Sequence, residues 1–236
     1  MTPEQVPEAK RTEFQHFVNL LAPARAWHRP RMRNARSLDP KRPGMVVVNH
    51  SVNGLGTPFI ISELYRRRRI MARALVVKGF FHLSLYRRLV GMGGFVEGNR
   101  AVCEHLMQRG EWIALAPGGL REALKSDGQQ YQLLWDERLG FVKMAVRFGY
   151  PIIPLAVVGM EDAVDIVMDP DEIMATPLGM FFRESGIYEK VMHNGNFLYP
   201  LVRGIGPSMV PRPERAYLCV GDAIETGHLK GETKDL

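Results

Sequence analysis

The chain has few cysteines, no long apolar run and few acidic residues in its first hundred positions. Cys103 and Cys219 are the two cysteines among 236 residues, and they lie far apart. That excludes a disulfide framework and a Cys-based metal site, and both thiols are expected to be plain core residues. No secretory leader pattern is visible at the start, so a reduced, cytoplasmic setting is expected. No uninterrupted apolar stretch approaches the roughly eighteen residues that a spanning helix needs. A peripheral protein is therefore expected, not an integral one. There is no Gly-x-Ser-x-Gly elbow, no P-loop, no dinucleotide fingerprint and no His/Cys cluster with metal spacing. No metal and no resident cofactor are expected.

The charge is lopsided. Residues 1–100 carry 18 Lys+Arg against 6 Asp+Glu, within a chain of net charge +6. A basic half suggests an anionic partner, and an anionic membrane surface is the expected one. The run Arg66-Arg67-Arg68-Arg69 is its sharpest piece. It reads either as the cationic end of a helix or as a face toward lipid headgroups. Nucleic acid is not an expected partner, because aromatics are not interleaved with the basic residues as stacking platforms would be.

The content and patterning predict a single α/β domain: a mixed, largely parallel sheet flanked by helices. Residues 1–40 read as a basic helical segment. Phe14, Phe17, Val18 and Leu21 share one helical face, which packs on the domain or lies on a membrane. Residues 41–225 read as the α/β domain, with strands at Met45–Asn49, Arg73–Val77, Trp112–Ala116, Ile152–Val158 and Tyr217–Val220. Helices are expected at Pro58–Arg68, Phe80–Val90, Val102–Arg109 and Phe141–Phe148. Within the domain, 160–210 is rich in Met, Pro and Phe, a composition that suits either an apolar binding surface or an irregular packed excursion. Residues 226–236 read as a polar tail.

Two segments end apolar strands in polar or glycine-rich sequence. These are Val46-Val47-Val48-Asn49-His50-Ser51 and Ala114-Leu115-Ala116-Pro117-Gly118-Gly119-Leu120-Arg121-Glu122. Carboxyl ends of strands in open α/β sheets are where ligands bind. A histidine there is a candidate base near neutral pH. With two further blocks, Gly94-Phe95-Val96-Glu97-Gly98-Asn99-Arg100 and Pro151-Ile152-Ile153-Pro154-Leu155-Ala156, these segments resemble, in order, the lysophosphatidic acid acyltransferase-like superfamily. The proline-glycine-glycine block is most similar to the branch of monoacylglycerol, diacylglycerol and phytyl ester acyltransferases. The resemblance covers roughly residues 40–225.

The resemblance implies transfer of a fatty acyl group from an acyl thioester, of coenzyme A or acyl carrier protein, to a lipid alcohol such as a glycerolipid. It implies His50 as general base and no acyl-enzyme. It implies backbone donors near Gly118 and Gly119 for the oxyanion, and phosphate contacts from Arg100 and Arg121. Glu122 is expected to orient Arg121 or cap a helix, and Arg121 is expected to meet His50 at one sheet edge. The Met/Phe-rich stretch 174–201 is expected to line an acyl channel. The family carries an acid shortly after its histidine, and Gly56 stands at the place of that acid here. Three readings follow: a weak or inactive lipid-binding protein, substitution by Asn53 or Glu122, or a deliberate inactivating replacement.

Overall fold

The computed structural model describes residues 1–81, 88–89, 91–185 and 198–229. The expected helix over 80–90 falls largely outside them. Seven strands form the main sheet: β1 (Arg31–Arg33), β2 (Met45–Val48), β3 (Arg73–Val76), β4 (Val96–Glu97), β5 (Ile113–Leu115), β6 (Ile152–Val158) and β9 (Tyr217–Val220). Their spatial order is β1-β9-β6-β2-β5-β3-β4. Every pairing is parallel except β6 with β9, so the sheet is mixed and largely parallel. A second, two-stranded sheet pairs β7 (Asp165–Met168) with β8 (Leu201–Arg203).

β2 reads as a continuous apolar run because both of its faces are covered. It is buried along its whole length, with Val46 opposite Ala114 of β5 and Ile153 of β6. The chain leaving β2 runs toward β3, on one side. The chain leaving β5 runs the other way, to β6. That reversal opens a crevice at the carboxyl ends of β2 and β5.

Helices cover the sheet. α1 (Arg11–Leu20) buries Phe14, Phe17 and Val18 in the same core as β2. Each such side chain stabilises the fold by about 1.5–3 kcal/mol. α2 (Ala22–His28) then leads into β1. The first forty residues are therefore not a separate segment. They pack on the domain and complete its sheet. α3 (Thr57–Arg68) begins with Pro58 in its first turn and ends where Arg69 turns left-handed at φ 58°. α4 (Arg100–Gln108) is capped by Asn99, whose Oδ1 accepts from the Val102 amide at 2.9 Å. α5 (Gly119–Ala123) follows β5, and α6 (Gly140–Phe148) closes at Gly149. α7 (Pro170–Ala175) and α8 (Pro177–Glu184) belong to the 160–210 excursion. The polar tail begins later than expected, since Thr226 is buried and its hydroxyl donates to carbonyl oxygens of Ala145 and Tyr150.

The arginine run is absorbed by the fold. Glu63, fully buried one turn earlier on α3, accepts from Arg66 at 2.8 Å, Arg67 at 3.2 Å and Arg25 at 3.0 Å. Arg68 donates twice to the Leu38 carbonyl, and Arg69 lies over the Tyr65 ring. The run also sits at the far end of α3 from the loop that holds His50, and that helix is about 18 Å long at 1.5 Å per residue. Its first duty is to neutralise a buried carboxylate. Glu63→Gln is expected to cost about 2–3 kcal/mol, below the range for a fully dry pair because Arg66 and Arg67 can rehydrate. Urea denaturation checks this, and a loss under 0.5 kcal/mol would show the cluster to be ornamental.

Candidate active site

His50 follows the last residue of β2 by two positions. Asn49, between them, spends its side chain on β6. Its Nδ2 donates to the Val157 carbonyl at 3.0 Å, and its Oδ1 accepts from the Val157 amide at 2.7 Å. This reciprocal pair continues the sheet by one side chain and fixes where His50 leaves it. From below, the Lys125 ammonium donates to the His50 carbonyl oxygen at 3.2 Å and to Glu161 at 2.6 Å. Lys125 and Glu161 are both buried, and the second oxygen of Glu161 accepts from the Tyr131 backbone amide. The backbone of the histidine is thus held on two sides.

Nδ1 of His50 lies 3.0 Å from the Ser51 carbonyl oxygen. A carbonyl can only accept, so Nδ1 carries the proton and Nε2 is left with its lone pair. Nε2 has no partner among the described residues and His50 faces a cavity of about 550 Å³. Burial pushes the imidazole below its ordinary 6.5, and nearby Lys125 pushes the same way, while the Ser51 carbonyl opposes them. The ring is therefore neutral and basic at physiological pH.

The cavity is apolar. Phe17, Leu20 and Leu21 of the N-terminal helices form part of it, with Ile60, Ile61 and Phe95 from the domain. Among the described residues no Lys, Arg, Asp or Glu lines it. The expected lining by the stretch 174–201 is seen at one of its described residues. Within that stretch Tyr199 lines the cavity, whereas Leu178, Met180 and Phe181 are solvent-exposed, and 186–197 lie outside the described residues.

The other expected site residues divide. Gly119 reaches the site: it shares a small space of about 80 Å³ with His50, Asn53 and Ala116. It stands at φ +56°, a conformation that favours glycine. Its amide is already committed to the Ala116 carbonyl at 3.0 Å, which removes it as an oxyanion donor. Gly118 is required for space, because a Cβ there would lie 2.4 Å from the Glu122 carboxylate. Arg138 ties this loop down through the carbonyls of Pro117 and Gly118.

Glu122 is buried, and Trp135 Nε1 donates to its Oε2 at 3.0 Å. Burial raises its pKa, with the His50 backbone amide and Trp135 opposing. It orients neither the imidazole nor Arg121. Arg121 is 57% exposed and pairs with Asp136. It does not line the cavities that contain His50, so the expected meeting of Arg121 and His50 does not occur. Arg100 is exposed, pairs with Glu104 at 2.9 Å and lines a neighbouring cavity instead.

Asn53 lines the site but does not orient the ring, because Nδ1 is taken by Ser51. Its backbone is left-handed at φ 53°, and its buried Oδ1 has no hydrogen-bond partner among the described residues. Gly56 corrects the expectation further. A Cβ at 56 would meet Val157 Cγ1 at 2.8 Å and Ser51 Oγ at 3.2 Å. Its amide donates to Ser51 Oγ at 2.9 Å. The place of the missing acid is filled. Gly54 lies close beside the imidazole, since a Cβ there would stand 3.1 Å from His50 Cε1. Lys125, Glu161 and Arg138 lie outside the motif blocks, and Asn49 and Ser51, inside the histidine block, take roles that only the fold reveals.

The sequence profile described as "Diacylglycerol acyltransferase" matches residues 43–211. The chain belongs to that family. It is similar to "Phytyl ester synthase 2, chloroplastic" of Arabidopsis thaliana, 28% identical over 219 residues, which cover 86% of this chain and 30% of that protein. It is similar to "DGAT1/2-independent enzyme synthesizing storage lipids" of Gallus gallus, 28% identical over 131 residues, 56% of this chain and 39% of that one. The chain thus spans under half the length of these curated relatives. Its fold is similar to the 1-acyl-sn-glycerophosphate (LPA) acyltransferase PlsC from Thermotoga maritima, with a TM-score of 0.56 at 12% identity, over 99% of this chain and 81% of that one.

The depressed His50 value fixes a pH dependence. The folded imidazole binds its proton below 6.5, so the base form survives to lower pH than a free histidine would. The unfolded chain takes up that proton first as pH falls, so this group destabilises the fold below about 6.5. The acid limb of kcat/KM for any His50-dependent reaction is expected below pH 6.5. A limb at 7 or higher contradicts the assigned environment.

Proposed function

We propose that the chain moves a fatty acyl group from an acyl thioester to a neutral lipid alcohol, with His50 as general base. One observation carries the reading: an imidazole with Nδ1 bound to a backbone carbonyl and Nε2 without a partner among the described residues, on a histidine that lines an apolar cavity with no charged residue among the described ones. The names of the relatives, which speak of diacylglycerol and phytyl esters, support an acceptor without phosphate.

In this reaction the acceptor hydroxyl gives its proton to Nε2 as its oxygen attacks the thioester carbonyl. The tetrahedral intermediate collapses, the C–S bond breaks and the thiolate recovers the proton from the imidazolium. Products are an ester and a thiol. Asn53 lines the same cavity, and its buried Oδ1 lacks a hydrogen-bond partner among the described residues, so a turn of the side chain would make it the group to orient the acceptor hydroxyl. The Ser51 carbonyl fixes the tautomer but stabilises the imidazolium less than a carboxylate would.

Thioester-dependent transfer to a panel of lipid alcohols tests this. His50→Ala is expected to lower the rate by at least about 10²-fold, the scale of general base catalysis. Gly56→Asp alone is expected not to raise it, because the new side chain meets Val157. Gly56→Asp with Val157→Ala opens that space. Transfer that survives His50→Ala would overturn the reading. Bound lipid with no turnover in any variant would favour an inactive lipid-binding protein, a reading supported by the absence of a carboxylate hydrogen bond to the imidazole among the described residues.

We also propose that the protein works peripherally at a membrane surface, from the cytoplasmic side. Among the described residues no helix is long and apolar enough to cross a membrane. Leu20 and Met209 are more than half exposed and both line the His50 cavity, so its rim is apolar. Flotation with phosphatidylcholine/phosphatidylglycerol vesicles is expected to persist in high salt and to fall in Leu20→Ser/Met209→Ser. Release by salt alone would return the docking role to the basic residues.

A further inference from the structure

We propose that a second cavity, beside the first, binds the phosphopantetheine end of the acyl donor. The proposal rests on the acyl-transfer reading and extends it to the donor. This cavity has a volume of about 700 Å³ and lies between the start of α4 and the exposed face of α6. Leu75, Val76, Leu115 and Ala116 line both cavities, so the carboxyl ends of β3 and β5 form a shared wall. A molecule crossing that wall would have one end in each.

The two ends differ in charge. The His50 cavity has no charged residue in its lining among the described residues. The second is lined by Arg100, Lys143 and Arg147. One carboxylate serves two of the three cations: Glu104 accepts from Arg100 at 2.9 Å and from Arg147 at 2.7 Å. Lys143 is exposed and has no partner among the described residues. Cys103, also in the lining, has its thiol pushed up to about 11 by burial and adds no negative charge. The set therefore keeps an excess of positive charge over an apolar floor. That combination suits a phosphate on a flexible, partly apolar arm. A neutral acceptor offers no such group, and the acyl chain offers none. The donor does: coenzyme A and acyl carrier protein both present the thioester on a phosphopantetheine arm.

The test uses the full chain and its Lys143→Glu/Arg147→Glu variant, two exposed positions whose exchange leaves the core intact. Calorimetry with coenzyme A and with phosphate-free pantetheine reads binding directly. Coenzyme A is expected to bind at least about tenfold tighter than pantetheine, and to lose at least about tenfold in the variant, as for lost charged contacts. Palmitoyl-coenzyme A and palmitoyl-acyl carrier protein then separate the two sources of the arm. A rise in KM for both, with kcat held within about twofold, supports a phosphopantetheine site. A rise for coenzyme A alone assigns the charges to its nucleotide and overturns the proposal as stated. Unchanged coenzyme A affinity in the variant overturns it outright, as does a rise in the acceptor's KM instead of the donor's. If coenzyme A binds and the variant weakens it, yet no thioester is turned over, the cavity assignment stands and the acyl-transfer reading falls.

Discussion

Everything at the site depends on how β2 ends. His50 keeps the face of Val46 and Val48, because side chains two apart along a strand share a face, and the cavity lies on that face. The Asn49 side chain holds this register past the end of the strand by replacing a backbone pair with an amide pair to Val157. The next residue is then released from the ladder while its position remains fixed. Lys125, reaching up from the segment after α5, holds the carbonyl of the same residue. A buried lysine is costly unless paired, and Glu161 supplies the pair. The imidazole is thus located by three groups that never touch it.

Much of this fold was legible in the sequence. The strands at 45–48, 113–115, 152–158 and 217–220 announce themselves as apolar runs cut off by polar or glycine residues. Helices 57–68 and 140–148 carry their own start and stop signals. What escaped reading are elements defined by pairing. β1 is Arg-Met-Arg, and β4 has two residues; neither has an apolar pattern, and each exists because a neighbouring strand offers an open edge. The antiparallel turn of β9 against β6 is likewise a property of the connection through 160–210, not of Tyr217–Val220 itself.

The site was legible in part, for a related reason. His50, Gly119 and Asn53 were expected near one another and share one space. The arginines were misleading. A guanidinium in a motif looks the same whether it faces a ligand or a buried acid, and only the fold shows Arg66 and Arg67 on Glu63 and Arg121 on Asp136. Conversely, Lys143 and Arg147 drew no notice in the sequence beyond the helix that holds them. Their interest comes from the cavity that α6 overlooks.

The tight contact between Gly56 and Val157 has a meaning beyond this one chain. Space for a carboxylate at 56 can be made only by removing volume at 157, on a strand a hundred residues away. The two positions therefore constitute a single choice: an acid with a small partner, or glycine with a branched one. In an alignment of related chains, these columns are expected to vary together, and a chain with both large would need its β2–α3 loop rebuilt. A histidine served by a backbone carbonyl is then one of two self-consistent solutions for this loop, each resisting conversion to the other by any single substitution.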